Sequence, residues 1–527
     1  MWARLPLYYH TLKYLKPVQL YYRLYYTVRS RWRGLRGVQR HTFRVGPLPA
    51  APPLPDPLPP ASRTYLGGNR FRFLNLDKDF GETIDWDYGA NGKLWTYNLN
   101  YFEFLLQEDV TERQGRALIK AFLEAAPDLK NAWEPYPLSL RIIHWIKFIA
   151  RHELRDQILS DSLRAQADAL LDQLEYHLLG NHLLENGFAL LFAACYFDEP
   201  RYHRAALNIL EPQLREQVLA DGGHFELSPM YHQLMLWRML DCCNLLAGKR
   251  GSWSAQLPWF QATARRMLSW LQQLTFTDGS IPLLNDAAPG INPTTPSLLA
   301  YATRLGLSAD ALPLGASGYR KLGTGRFEVL FDVGAPAPDY IPGHAHCDAL
   351  SVAVHYAGRP LLVDRGVSTY EPNAQRYLER STSAHNTVSV AGREQAEIWA
   401  SFRLGRRRVP VLLVDEPEQI QAQLRYATSD HWHRRTVRRE DEAVVIEDAA
   451  DAPAQAYFHF SPDLVVEQTA GGVRAGTAEL TFEGATAWTV ETYAYAAGFN
   501  ALLPAHRAVV QFSTNLTSRL TPSRSSS

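Results

Sequence analysis

Residues 298–331 read LLAYATRLGLSADALPLGASGYRKLGTGRFEVLF, and two hydrophobic periods meet inside them. Up to about Leu305 apolar residues recur every three or four positions, as on a helix with one buried face. From about Tyr319 they alternate, as on a strand. The junction predicts a chain of two architectures, helices first and sheets after.

Upstream, helical spacing returns in Arg116–Ala126, Leu138–Arg151, Ser162–Leu178, Leu183–Cys195 and Met230–Leu246, separated by short Gly, Pro, Asn or Asp clusters. Many helices of similar length with short connections read as an all-α array, and a ring of helical hairpins, an α/α toroid, is one closed solution. Downstream, Phe327–Phe331, Leu350–His355, Thr387–Val390, Val409–Val414, Ala443–Glu447 and Ala478–Phe482 are expected strands of antiparallel sheets. The expected fold is multidomain α+β: an N-terminal arm and linker at 1–60, the toroid at 61–318, an antiparallel β-sandwich at 319–515 and a disordered tail at 516–527.

Met1 to Arg44 holds ten Lys/Arg and no acid, interleaved with Tyr8, Tyr9, Tyr14, Tyr21, Tyr22, Tyr25 and Tyr26. Such an arm either lies on an anionic membrane surface or polymer, or packs its aromatics on the main body; the second is preferred, and peripheral membrane contact is retained. Residues 47–60, PLPAAPPLPDPLPP, read as a semi-rigid polyproline linker.

Over the whole chain 54 Lys+Arg balance 54 Asp+Glu, which argues against a nucleic-acid coat, and the 46% hydrophobic content excludes disorder as the main state. Four cysteines, Cys195, Cys242, Cys243 and Cys347, show neither a thiolate zinc spacing nor a disulfide framework. No run of about 20 apolar residues and no signal-peptide core appears, so a cytoplasmic or inner-membrane-associated location is expected by default, with the periplasm as the alternative. Phosphate loops, GxSxG elbows and HExxH helices are absent, which removes nucleotide-dependent, serine-hydrolase and zincin chemistry.

Three polar constellations remain. Gly180-Asn181-His182-Leu183-Leu184-Glu185-Asn186-Gly187 opens a helix, and its polar residues serve equally as a cap and solvated first turn. Asp221-Gly222-Gly223-His224-Phe225-Glu226-Leu227-Ser228-Pro229-Met230-Tyr231-His232 delivers Tyr231 to the start of another; it is a general acid or base if nearby cations favour the phenolate, or a buried tyrosine with a satisfied hydroxyl. In the sheet region, alternation would place His344, His346 and Asp348 on one strand face, and Asp364 and His385 flank apolar strands. Two imidazoles and a carboxylate suit Zn²⁺ as well as they suit hydrogen-bonded surface residues.

Taken in order, NHLLENG, DGGHFELSPMYH, GHAHCDALS, VDRG and STSAHNTVSV, with KLWTYNLNYFEFL upstream, resemble the heparinase II/III family of polysaccharide lyases and its alginate-lyase-like relatives, over roughly Trp95 to Arg439. The resemblance implies an α/α toroid followed by β-sandwich layers, and β-elimination at a uronic acid: the C5 proton is removed, the C4 oxygen leaves, and a 4,5-unsaturated uronate forms. The hard step puts carbanion-like charge next to a carboxylate, so that carboxylate must be neutralised. On the same resemblance Asn181 holds the carboxylate, His182 assists as neutraliser or base, and Tyr231 removes the proton or protonates the departing oxygen. His346, Asp364 and His385 match metal ligands, implying a structural divalent ion, zinc, with no organic cofactor. His344 matches a substrate-facing histidine. Glu185 is expected to orient His182, and Arg380 with Tyr370 or Tyr377 to contact the polymer; Trp133, Tyr136 and Arg141 are further cleft candidates, with helix packing the stronger reading. The expected partner is an acidic polysaccharide, within a bacterial exopolysaccharide or capsule pathway and with no nucleic acid. The alternatives are a non-catalytic polysaccharide-binding scaffold of the same fold, and a glycoside hydrolase using Glu185 and Glu226.

Overall fold

The computed structural model describes residues 5–36, 46–249, 251–336 and 338–523. Its helices are α1 (Leu5–Leu12), α2 (Pro17–Arg36), α3 (Lys93–Tyr101), α4 (Glu112–Ala125), α5 (Pro135–His152), α6 (Gln157–Leu171), α7 (Gly180–Phe197), α8 (Pro200–Gln217), α9 (Pro229–Ala247), α10 (Leu257–Leu274), α11 (Thr295–Arg304) and, inside the sheet region, α12 (Ala374–Arg380). The helical pattern at Ser162–Leu178 overruns: α6 stops at Leu171, and 172–179 form a loop that matters below.

The centre of the toroid is α7. From Leu183 to Tyr196 every residue is buried, so the helix is apolar all round and needs neighbours on every side. It packs on α5, α6, α8 and α9, and α9 in turn packs on α10 and α11. Four charged groups are also enclosed there: Arg238 donates to both oxygens of Glu185 at 3.0 and 3.1 Å, and Lys147 pairs with Asp241. A small three-stranded sheet over residues 65–79, which no helical reading anticipated, precedes the first toroid helix.

Two antiparallel sheets follow. Four strands, Tyr319–Thr324, Phe327–Asp332, Val352–Tyr356 and Arg359–Leu362, pair in sequence order. They face a ten-stranded sheet through a shared core that includes Val329, Phe331 and Val354 from the first and Ile420, Val437, Ile446, Phe458 and Val510 from the second. This is the expected sandwich. Its longest strand, Ala501–Pro522, overturns the expected disordered tail at 516–522: Leu516, Ser518 and Leu520 are buried, and Leu520 pairs with Val444. Residues 524–527 of that tail lie outside the described residues.

The described part of the arm, residues 5–36, is helical and packed on the main body, and the proline segment is no free spacer. Leu54 and Leu58 are buried, and the Pro55 carbonyl accepts from Asn244 of α9. No helix among the described residues is long and apolar enough to cross a membrane, and all four cysteines are buried and free.

Candidate active site

The two motif helices begin at strained turns. Leu179, the residue before α7, has φ 66° and ψ −152°, and Leu227, just before the α9 cap, has φ 55°. Non-glycine residues in such regions persist only where packing over-determines them. Gly180 follows at φ 59°, and a Cβ there would stand 2.6 Å from Glu226 Oε1 and 2.8 Å from Ile341 Cδ1. Glycine is thus required both by conformation and by space. Ser228 caps α9, its Oγ accepting from the Tyr231 N–H at 3.3 Å, with Pro229 in the first turn.

These turns bring three motifs together. The Asn181 amide donates to both oxygens of Glu226 at 3.1 and 2.9 Å, and the Asn181 N–H to Oε1 at 2.9 Å. Across from Glu226 lies His344, with Nε2 3.5 Å from Oε2. The His344 ring sits on Tyr231, centroids 4.0 Å apart, and the Tyr231 hydroxyl is 3.3 Å from that of Tyr370. His182, next to Asn181, keeps one-third of its side chain exposed; its Nδ1 meets Glu175 Oε1 at 3.0 Å and its ring lies 4.6 Å from that of Tyr136.

A wall of fixed charge backs the group. Asp286 accepts from His344 Nδ1 and His346 Nε2, each at 2.8 Å, and from both terminal nitrogens of Arg376. Burial opposes the Asp286 charge, but Arg376 and the two imidazoles outweigh it and hold the carboxyl well below its ordinary range. Burial pushes the Tyr231 phenol well above its ordinary value, reinforced by Tyr370, Asp286 and Glu226. The cation-favoured phenolate is therefore absent: Tyr231 rests as a protonated acid. Burial also opposes a charged His182, yet Glu175 outweighs it and raises the histidine above its ordinary value.

Other expected residues sit elsewhere. Glu185 does not reach His182; it is enclosed with Arg238, and Glu175 takes the orienting position. Arg380 is buried and donates to the carbonyls of Ala345, Ala400, Ser401 and Arg403, so it ties loops together and does not meet a polymer. Tyr377 is half exposed on α12, while Tyr370 is the loop tyrosine at the site. Arg141 and Trp133 are buried packing groups, and of that trio only Tyr136 reaches the site. Glu175, Asp286 and Arg376 were not anticipated. Only Asp286, in the turn-forming run Asn285-Asp286 before Pro289-Gly290, carried a local signal.

His344, His346 and Asp348 do not share a strand face. Pro342 and Gly343 put 342–344 in a 3₁₀ turn, and the strand starts only at Val352. For the expected zinc, the donors are of the right kind, and His346 Nδ1 and His385 Nε2 are buried without partners. Asp364 is engaged by His385 Nδ1 at 2.7 Å and by the Gly366 N–H, and among the described residues no group of three or more His, Cys, Asp or Glu is arranged around one point. No step below passes through an ion.

A helical toroid meets a β-sandwich, and tyrosine, histidine and asparagine gather at the seam between them. Residues 79–303 match the profile of the Heparinase II/III N-terminus and residues 307–523 that of Heparinase II/III-like, C-terminal, so the chain belongs to the heparinase II/III family. It is 24% identical to a heparin-sulfate lyase of Bacteroides stercoris over 276 residues, 46% of this chain and 40% of that protein. It is 27% identical to FtsZ-localized protein C of Caulobacter vibrioides over 298 residues, 55% of this chain and 50% of that protein. The chain thus spans half or less of the curated relatives it matches. A crystal structure of heparinase III superposes with a TM-score of 0.66 at 16% identity, covering 85% of this chain and 80% of the other, a likeness of fold.

Proposed function

We propose that the protein is a polysaccharide lyase that cleaves a uronic-acid-containing polymer by β-elimination, within an exopolysaccharide or capsule pathway. The observation that carries this reading is the continuous contact chain Asn181–Glu226–His344–Tyr231–Tyr370, which joins two helix starts to the sandwich. Tyr231, protonated at rest, is suited to give its proton to the departing C4 oxygen. His182, with Nδ1 held by Glu175, has its other ring nitrogen available for the C5 proton. Asn181 supplies the amide for the substrate carboxylate, which requires that amide to exchange Glu226 for the uronate as the polymer enters.

The hydrolase alternative loses one of its two carboxylates, because Glu185 is sealed against Arg238. The scaffold alternative keeps the support of the Caulobacter relative, whose name describes a location and not a reaction. Ultraviolet absorbance against heparan sulfate, hyaluronan, chondroitin, alginate and bacterial exopolysaccharides separates the two. A rise with wild type that is missing with Tyr231→Phe supports elimination, whereas binding without any rise supports the scaffold.

The outer face of the arm supports placing this reaction at an anionic membrane surface. Tyr9, Leu20, Tyr21, Leu24 and Val28 are exposed there beside exposed Arg23 and Arg31. The 527-residue chain is expected to sediment with vesicles containing anionic lipid and not with purely zwitterionic ones, and Leu24→Asp/Val28→Asp to remain in solution. Equal partition of both proteins would remove the placement.

A further inference from the structure

The inner face of α2 lies along one loop, residues 172–179, which joins α6 to the start of α7, with a further contact to Tyr340. Arg29 and Arg33 pair with Asp172. The Tyr26 hydroxyl donates to the Leu174 carbonyl at 2.5 Å, and its ring meets His177 edge-on at 5.5 Å. Tyr22 stacks on Tyr176 with centroids 4.7 Å apart. Gln19, 3% exposed, donates to the carbonyls of Leu178 at 3.1 Å and Tyr340 at 3.4 Å. Just before the helix, Lys16 pairs with Glu216 and lies 4.0 Å over the Tyr340 ring, four residues upstream of His344.

The residue this loop presents is Glu175. One oxygen takes His182 Nδ1; the other accepts from Asn186 Nδ2 at 3.0 Å, and the Glu175 N–H donates to Asn186 Oδ1 at 2.8 Å. A carboxylate on an irregular loop loses much of its hold on a partly exposed partner if the loop is free to move, because ordering entropy offsets the pair. Asn186 fixes one side of Glu175, and α2 fixes the loop that carries it.

We propose that α2 is a positioning strap of the active site, holding loop 172–179 so that Glu175 sets the orientation and protonation of His182; Glu175 is then a positioning residue and Gln19, Arg29 and Arg33 act through it. The kinetic part rests on the lyase reading, and the titration part does not. Besides Glu175, the groups facing His182 are Glu226 before α9, Glu185 on its own helix, His177 on the loop and Tyr136 from α5, and the variants below leave all of these in place.

The test uses the 527-residue chain with the His182 ring titration followed by NMR, assigned with His182→Asn. Glu175→Gln is expected to lower the His182 pKa, shift the acidic limb of kcat/KM to lower pH and reduce kcat by at least about tenfold, a part of the usual acid–base contribution. Glu175→Asp should recover part of each. Arg29→Ala/Arg33→Ala and Gln19→Ala should move the titration in the same direction by less, with far-ultraviolet circular dichroism unchanged. A His182 titration unmoved by Glu175→Gln, or arm variants that lower thermal stability alone, would overturn the proposal. If wild type eliminates on no polymer, the lyase reading fails while the titration still decides the strap.

Discussion

The helix-borne half of the site and its sheet-borne half are built on opposite principles. Asn181, His182 and Tyr231 stand in the first turns of α7 and α9, where His182 keeps an exposed edge and Tyr231 keeps its proton. In the other half, His344, His346 and Arg376 of the sheet region make four donations to Asp286 on the α10–α11 loop of the toroid, which holds a fixed charge between the two. Groups that change protonation need an edge open to a ligand; groups that hold geometry are pinned by several hydrogen bonds at once. On the proposed reading the chemistry belongs to the helix starts, and the rigidity to the sandwich loops and the Asp286 they hold.

Tyr231→Phe tests the first assignment most severely. It should lower kcat by about 10²–10⁴, the usual contribution of a positioned acid or base, with the melting temperature little changed. A variant that keeps its activity would dissolve the contrast. Asp286→Ala tests the second: with Arg376 left buried and unpaired, denaturant unfolding should report a loss of about 3–5 kcal/mol. A loss of turnover at unchanged stability would instead move Asp286 into the chemistry.

How much of this was legible in the sequence follows the same division. Period alone separated helices from sheets near Leu305–Tyr319, because burial on one face imposes 3.6 or 2 residues per repeat. The residues that gather at the seam, Asn181, His182, Tyr231, His344 and Tyr370, were legible because each lies in or beside a local motif. Glu175 and Arg376 were not, since their partners His182 and Asp286 are 7 and 90 residues away and no short-range pattern encodes such pairs. Glu185 was misplaced for a related reason: spacing puts it one helical turn from His182, but its charge is met from α9 by Arg238. The tail at 516–522 looked disordered because its Ser and Thr face solvent or neighbouring strands, while the pairing that orders it comes from Val444 and its neighbours.

A smaller effect sharpens the picture of the sandwich as a charge-braced wall. Asp448 is buried with Arg435 and His433; burial alone would raise its carboxyl, but the two partners, Arg435 foremost, bring it from 3.8 down to about 2. As pH falls the unfolded carboxyl takes up its proton first, so the stabilisation is complete above about pH 4 and disappears on approach to pH 2. The shift corresponds to about 2 kcal/mol. Urea unfolding of wild type from pH 5 to pH 2 should show that loss, and Asp448→Asn, less stable at neutral pH, should lack this part of the acid limb.

The smallest effect comes from outside both halves. Thr111 caps α4 with Gln114 in a reciprocal capping box, each side chain bonding the other's backbone N–H, and α4 carries none of the residues gathered at the seam. Thr111→Ala removes the acceptor for one first-turn N–H and should cost about 1 kcal/mol of stability. Turnover per folded molecule should stay at the wild-type value, because the cap is an exposed helix start whose bonds run between Thr111 and Gln114. A fall in kcat with this variant would mean that activity tracks toroid stability in general. The selective losses expected of Tyr231→Phe and Glu175→Gln would then need to be judged against that slope before either residue is assigned to the reaction.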